Sequence, residues 1–467
     1  MNHGARILHL RGAAGMDAIY RKISWRLLPL LMLCYAAAYL DRVNVGYAKL
    51  QMGASLDFSE HIYVIGAAVF FIGYCLCALP ANLLLEKIGA RKTLLRIMLG
   101  WGATSAACAF VREPLEFYVL RFLLGVFEAG FFPGVILYLT WWYPAARRAR
   151  VFAVFASAVL LAGVLAGPLC GATLRHLREY GVLDGWQWML VTQGLPAVLL
   201  GVFAGFYLDD KPDDARWLSS FEQQMVEQDL ERDEDALRPA GAPADEDKQE
   251  HAPPSPLSTI WSLLRQPSFA LLAVATLLLT GAGYALAHRA PQLMQHWGAG
   301  QHLEPGLLTA IPNLVGAIGM VLICYDSDRR RERRGHFIAS MVLTAGGLAL
   351  AMAADDLLAW SLTGLTLATL GMAAALPLLF AILTGMLDRR RAATGIALVT
   401  SIGLLGGAAA PAFSERMLQW GGSAGMLAAL TVLSLAAGAI LLWALKLAPR
   451  RGGPDAGHGQ SDKMARN

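Results

Sequence analysis

Apolar runs close to the length needed to cross a bilayer recur along the whole of this 467-residue chain. A helix needs about 20 such residues to traverse the hydrocarbon. In lipid no water satisfies a bare backbone, so spans of that length fold as α-helices. The runs are 25–48, 62–85, 93–111, 115–141, 150–172 and 187–208, then 268–296, 304–325, 336–354, 357–386, 392–418 and 423–446. The predicted fold is an all-α integral membrane protein of twelve transmembrane helices in two six-helix bundles. Only 16% of residues are charged, where a soluble protein carries about a quarter, which agrees with a lipid environment.

The chain divides accordingly. Residues 1–24 read as a leader, 25–208 as the first bundle, 209–267 as a linker, 268–446 as the second bundle and 447–467 as a disordered tail. The leader lacks the compact apolar run and small-residue cleavage site of a secretory signal. Residues 1–15 are expected to be loosely ordered, with Met16 an expected true start. Within the linker a short amphipathic helix is expected around Trp217–Leu230, followed by a charged, Pro- and Ala-rich disordered tether.

Basic residues set the orientation. Lys87, Arg91, Lys92 and Arg96, then Arg147, Arg148 and Arg150, Arg329 through Arg334, and Arg389 through Arg391 all fall in alternate loops. The Lys/Arg bias makes those loops cytoplasmic, with both termini, in a multi-pass protein of the cell (inner) membrane. Asp355 and Asp356 lie in an outer loop, and Arg175 and Arg178 interrupt the pattern at another. A net charge of +4 is too small to imply nucleic acid. The six cysteines lack disulfide or zinc spacing and read as small core residues. No cofactor or metal is expected. Trp141, Trp142, Trp186 and Trp188 sit at span ends, as interfacial anchors do.

Two cytoplasmic corners echo each other: NLLLEKIGARK between spans 2 and 3, and CYDSDRRRERR between spans 8 and 9. Both put an acid and basic residues at a tight turn, implying an internal duplication about an axis along the membrane normal.

Ionisable groups inside the spans are the functional signal. Each costs roughly 2.5–3.5 kcal/mol at a helix centre, so it marks a solute or ion path. Arg121 and Glu128 are seven residues apart, on one helix face and about 10 Å apart along the axis. They read as a proton-titrating acid beside a carboxylate-binding arginine, or as a structural ion pair. Asp41 and Arg42 are adjacent and diverge by about 100° on a helix, so they face different neighbours. One titrates while the other reaches the solute, or the helix ends there and both meet water. An arginine suits a carboxylate because its planar fork donates two parallel hydrogen bonds.

From Tyr20 to Leu447 the chain resembles the major facilitator superfamily, and within it the anion:cation symporters that import tartrate, phthalate, hydroxyphenylacetate and sugar acids. YLDRVNVGYA (39–48), RFLLGVFEAGFFPG (121–134), YLDDKPDDARWL (207–218) and LLTAIPNLVGAIGMVL (307–322) carry the likeness. The resemblance implies a major facilitator fold and a monomer in the lipid bilayer whose solutes are a small organic anion and protons. It makes Asp41 and Glu128 the proton-coupling acids and Arg42 and Arg121 the anion contacts, with Tyr74 and Tyr39 in the cavity. It makes Glu86, Lys87, Gly89, Arg91 and Lys92, with Asp328 and Arg329, the two copies of a gating motif. Asn82 and Arg331 stand where glycine is usual, and Glu86-Lys87 replaces Asp-Arg.

The second half departs from that pattern. His288 and Arg289 occupy positions usually aromatic, and Thr400 and Leu404 replace two asparagines, with Ser401 adjacent. His288 and Arg289 add positive potential suited to a second carboxylate, or they snorkel to the outer surface. With Thr400 and Ser401 they complete the expected substrate site. A drug:proton antiporter and a non-transporting solute sensor share the expected fold. An enzyme is not indicated, because no nucleophile–base pair, phosphate loop or metal spacing stands out.

Overall fold

The computed structural model describes residues 3–177, 181, 183–237, 255–297, 308–354 and 357–447, with helix as the regular structure of these residues. The helices are α1 (His3–Leu56), α2 (Glu60–Ile88), α3 (Ala90–Ala107), α4 (Pro114–Glu128), α5 (Phe131–Thr140), α6 (Ala145–His176) and α7 (Gly185–Tyr207). They continue with α8 (Ser220–Leu237), α9 (Pro256–Leu264), α10 (Pro267–His296), α11 (Ala310–Arg330), α12 (Arg334–Ala353), α13 (Leu358–Met386) and α14 (Arg389–Leu447). Two of these need comment. α4 and α5 form one crossing, Pro114–Thr140, interrupted at Ala129 and Gly130. α14 has 59 residues, about 90 Å of helix and far more than one bilayer thickness. It folds back at Gly421 and Gly422, where φ of +63° at Gly422 demands a residue without Cβ. Among the described residues eleven helices are long and apolar enough to cross a membrane, and the doubled α14 supplies a twelfth crossing.

The leader departs from expectation: the helix begins at His3 and runs without a break into the first crossing. The amphipathic linker helix exists, as α8. Residues 238–254 of the expected tether, the tail beyond Leu447, and Asp355 and Asp356 lie outside the described residues, whereas the end of the tether is ordered as α9 rather than disordered.

The two halves pack by one rule. In the first, α2 lies against α4, α3 against α7, and α1 against α6 and α7. In the second, the corresponding crossings repeat this: α11 against α13, α12 against α14, and α10 against α14. The halves meet through α2 with α14 and α6 with α11, two contacts that exchange when the halves are swapped. A pseudo-two-fold relation of this kind follows from duplicated sequence.

Where the basic loops lie, the halves are bonded together. Asn82 Nδ2 donates to the Ala393 carbonyl (3.2 Å), the Arg150 amide to Asp328 Oδ2 (2.9 Å), and Arg148 Nη1 to the Thr384 carbonyl (3.3 Å). Arg333 donates to the carbonyls of Ala145 in the first half and Ala381 in the second. α8 lies beneath this seam. Asp233 accepts from the Ala145 amide (2.8 Å) and Arg148 (3.1 Å), Asp229 from Tyr20 (2.8 Å), and Glu234 from Arg389 (3.3 Å). Val226 is buried on the same face.

The tryptophans divide. Trp142 and Trp186 are fully buried, and Trp142 stacks on Trp217 with ring centroids 5.9 Å apart. Protein, not headgroup, surrounds these two, which corrects their reading as interfacial anchors.

Candidate functional site

Asp41 and Arg42 point in different directions from mid-α1, as their adjacency requires. Asp41 is 1% exposed and turns toward α3, so the alternative in which both charges reach water is excluded. Its Oδ2 accepts from Trp101 Nε1 (2.6 Å), and its Oδ1 accepts from Asn44 Nδ2 (3.0 Å) and from the Ser105 hydroxyl. All three donors are neutral. Among the described residues no arginine bonds this acid.

Arg42 turns toward α4. Its Nε (3.1 Å) and Nη2 both donate to one oxygen, Oε1 of Glu128. Its remaining fork atom, Nη1, donates to the hydroxyl of Tyr284 in the second half (2.8 Å). Glu128 is 2% exposed, and its other oxygen, Oε2, has no hydrogen-bond partner among the described residues.

Arg121 lies on the same helix face as Glu128, but no ion pair joins them. Arg121 is 6% exposed, with its Cζ 4.9 Å from the centroid of the Phe70 ring. Its Nε and Nη1 are buried without a partner among the described residues. Gly125 explains how the ring comes so near. A Cβ there would fall 2.1 Å from the Phe70 carbonyl oxygen, so only glycine lets α4 approach α2 this closely. The structural-ion-pair reading of Arg121 and Glu128 is thereby set aside: the pair that forms is Arg42 with Glu128.

Aromatic groups surround the charges. Tyr35, Tyr74 and Tyr284 are electrostatic neighbours of Arg42, together with Glu128. Tyr74 is 2% exposed, and Tyr35 stacks on Phe155 at 4.6 Å. Tyr39 sits where the halves meet. A Cβ on Gly163 would lie 3.4 Å from its hydroxyl and 3.1 Å from Asn313 Nδ2 of α11.

The four second-half residues named from the sequence are not gathered here. Arg289 donates to Glu415 (2.5 Å), Ser414 (3.1 Å) and Gln292 (2.7 Å), so its fork is already occupied. His288 is exposed. Thr400 donates to the Ile396 carbonyl of its own helix (2.8 Å), while the Ser401 carbonyl faces the Cys75 thiol (3.9 Å) where α14 packs on α2. The unnamed residues that bond the charged groups are Tyr284 on Arg42 and Asn44, Trp101 and Ser105 on Asp41, while Asn313 lies with Tyr39 around Gly163. Tyr284 lies four positions before His288, one helical turn away on the same helix.

Groups from outside each motif help to build the two corners. At Gly89, φ is +90°, and a Cβ would strike the Asp210 carboxylate at 2.5 Å. Asp210 accepts from the Arg91 amide (2.8 Å), and the Arg91 side chain donates to the Gly205 carbonyl. The 207–218 stretch is therefore a brace: Asp209 Oδ2 accepts from Trp217, and its carbonyl accepts from Tyr138. Glu86, Lys87 and Lys92 are exposed. In the second half Asp328 pairs with the Arg150 amide and with Arg333 (3.5 Å), while Arg329 is exposed.

Comparisons with known proteins agree with this architecture. A family model described as the Major Facilitator Superfamily matches residues 31–299 and 290–465. A protein of Agrobacterium vitis named "Putative tartrate transporter" is 39% identical over 93% of this chain and 96% of its own length. A "Quinolone resistance transporter" of Acinetobacter baumannii is 36% identical over 84% of this chain and 87% of its own. Among solved structures, a proton:xylose symporter bound to a bromodeoxyglucose superposes with a TM-score of 0.67 over 91% of this chain and 96% of that one, at 14% identity.

Proposed function

The chain belongs to the major facilitator superfamily and is a multi-pass membrane transporter, not an enzyme; we propose that it imports an organic carboxylate together with protons. One observation carries this reading: among the described residues, Nε and Nη1 of buried Arg121 have no hydrogen-bond partner, and neither has Oε2 of buried Glu128 on the same helix face. A buried charge without a partner is strongly unfavourable, so Arg121 is built for an anion that arrives. Glu128 Oε2 is the open seat for a proton.

The coupling follows from the bonds. While Glu128 is ionised it holds Arg42 through two N–H groups, and the site offers a solute only Arg121. A proton on Glu128 weakens that hold and releases Arg42 to join Arg121 on the carboxylate. Asp41, Glu128, Arg42 and Arg121 sum to zero charge, and each proton taken up leaves the site one unit more positive. Proton and anion affinities are therefore linked in both directions. The bonded seam beneath the site is the closed inner gate, Asp328 and the Gly89 corner bracing it from each half. The protein acts as a monomer in the inner membrane, with both termini cytoplasmic and the two six-helix bundles rocking about the site.

The test is uptake of labelled L-tartrate by purified protein in proteoliposomes, with competition by succinate, galactonate, phthalate and 4-hydroxyphenylacetate. Accumulation driven by an acidic exterior and blocked by at least one acid supports the proposal. A second reading, drug:proton antiport, is favoured by the relative named for quinolone resistance. Uptake of a quinolone into acid-loaded vesicles, with indifference to all the carboxylates, would establish it instead.

A further inference from the structure

The charged groups at the centre all belong to the first half, yet a carrier that alternates must let its solute touch both halves. Tyr284, on α10, is the second-half group bonded to that cluster. Its hydroxyl oxygen accepts from Arg42 Nη1 (2.8 Å), so the phenol is oriented by the same guanidinium that Glu128 holds. The ring is fixed from behind. A Cβ on Gly407 of α14 would lie 3.0 Å from Cδ2 of the ring, so the ring packs close to bare backbone there.

A phenol has one proton to give as well as lone pairs to offer. Arg42 uses a lone pair and leaves the O–H available. Two other hydroxyls of this half bond within their own helices, Thr400 to Ile396 and Thr276 to Leu272 (2.8 Å), while Thr280, one turn before Tyr284, lies with Thr276 on the α10 face toward Gly403. We infer that Tyr284 is a solute contact supplied by the second half, donating its O–H to a carboxylate oxygen of the solute that Arg121 binds from the first half. The anion then bridges α4 and α10, and its departure separates them.

This inference rests on the carboxylate reading of the site, and the experiment separates the two. Tyr284→Phe keeps the ring against Gly407 and removes only the hydroxyl. Exchange of labelled L-tartrate and of succinate is measured in proteoliposomes for both proteins. Loss of one hydrogen bond to a charged acceptor predicts a KM raised about tenfold to a hundredfold for both acids, since they share their carboxylates. Maximal exchange and the pH dependence of accumulation stay as in the wild type, because Glu128 and Arg42 remain. Unchanged KM values overturn the inference while leaving the function intact. So does a fall in maximal rate with a displaced pH profile, which would make Tyr284 a prop for Arg42. A wild type that moves no carboxylate overturns the function, and this contact with it.

Discussion

Glu128→Gln isolates the proposed proton seat, and its effect can be worked out from two bonds. Arg42 donates Nε and Nη2 to Glu128 Oε1. Glutamine keeps a carbonyl at that place but removes the charge, so it imitates the protonated acid permanently. A hydrogen bond to a charged group contributes about 1.5–3 kcal/mol, and a neutral one about 0.5–1.5 kcal/mol. Two bonds therefore lose roughly 2–3 kcal/mol, the amount by which ionised Glu128 outcompetes a solute for Arg42. If a proton on Glu128 weakens its hold on Arg42, anion Kd in the wild type should rise with pH by up to about 30-fold to 150-fold. In the glutamine variant it should stay flat at the acid value. Calorimetry of L-tartrate binding between pH 5.5 and 8.5 measures both curves. Transport follows suit: one coupled proton is worth about tenfold accumulation per pH unit, and the variant should fall to none while retaining exchange. A variant whose Kd still climbs with pH, or which still concentrates solute, refutes the reasoning.

Two further outcomes are expected. Arg121→Ala should abolish anion binding in calorimetry, and Arg121→Lys should recover only part of it, because an ammonium cannot present the planar fork; undiminished affinity in either would remove Arg121 from the site. Asp233→Ala strips α8 of its bonds to the Ala145 amide and Arg148 and leaves a nearly buried guanidinium under-satisfied, so hydrogen exchange should quicken in residues 389–395 and 145–150, whereas protection equal to wild type would mean α8 does not hold the seam.

The helices were legible because lipid enforces a simple rule, one apolar run per crossing. Gly421 and Gly422 show the same legibility at a finer scale: without them α14 would be far too long for the bilayer. The site was half legible. Asp41, Arg42, Arg121 and Glu128 stood out because charges in apolar runs have few explanations. Which acid meets which arginine did not follow, because helical spacing relates residues on one helix, while the Arg42–Glu128 pair joins α1 to α4. Spacing also hid the neutral donors on Asp41, since Trp101 and Ser105 look like ordinary packing on α3. In the second half, charge drew attention to His288 and Arg289. The residue that reaches the centre is a tyrosine one turn away, and the arginine is neutralised locally by Glu415. The 207–218 segment is a brace for Gly89 and Arg91, a role set by tertiary contact with Asp210.

The most direct test of the coupled site is proton uptake on anion binding. Purified protein in weakly buffered detergent at neutral pH is titrated with L-tartrate while a dye reports pH. If the anion draws Arg42 away from Glu128, the freed carboxylate takes a proton and the solution turns alkaline in step with binding. In Glu128→Gln the anion should bind without that change. Saturable binding to the wild type with no proton taken up would contradict the account.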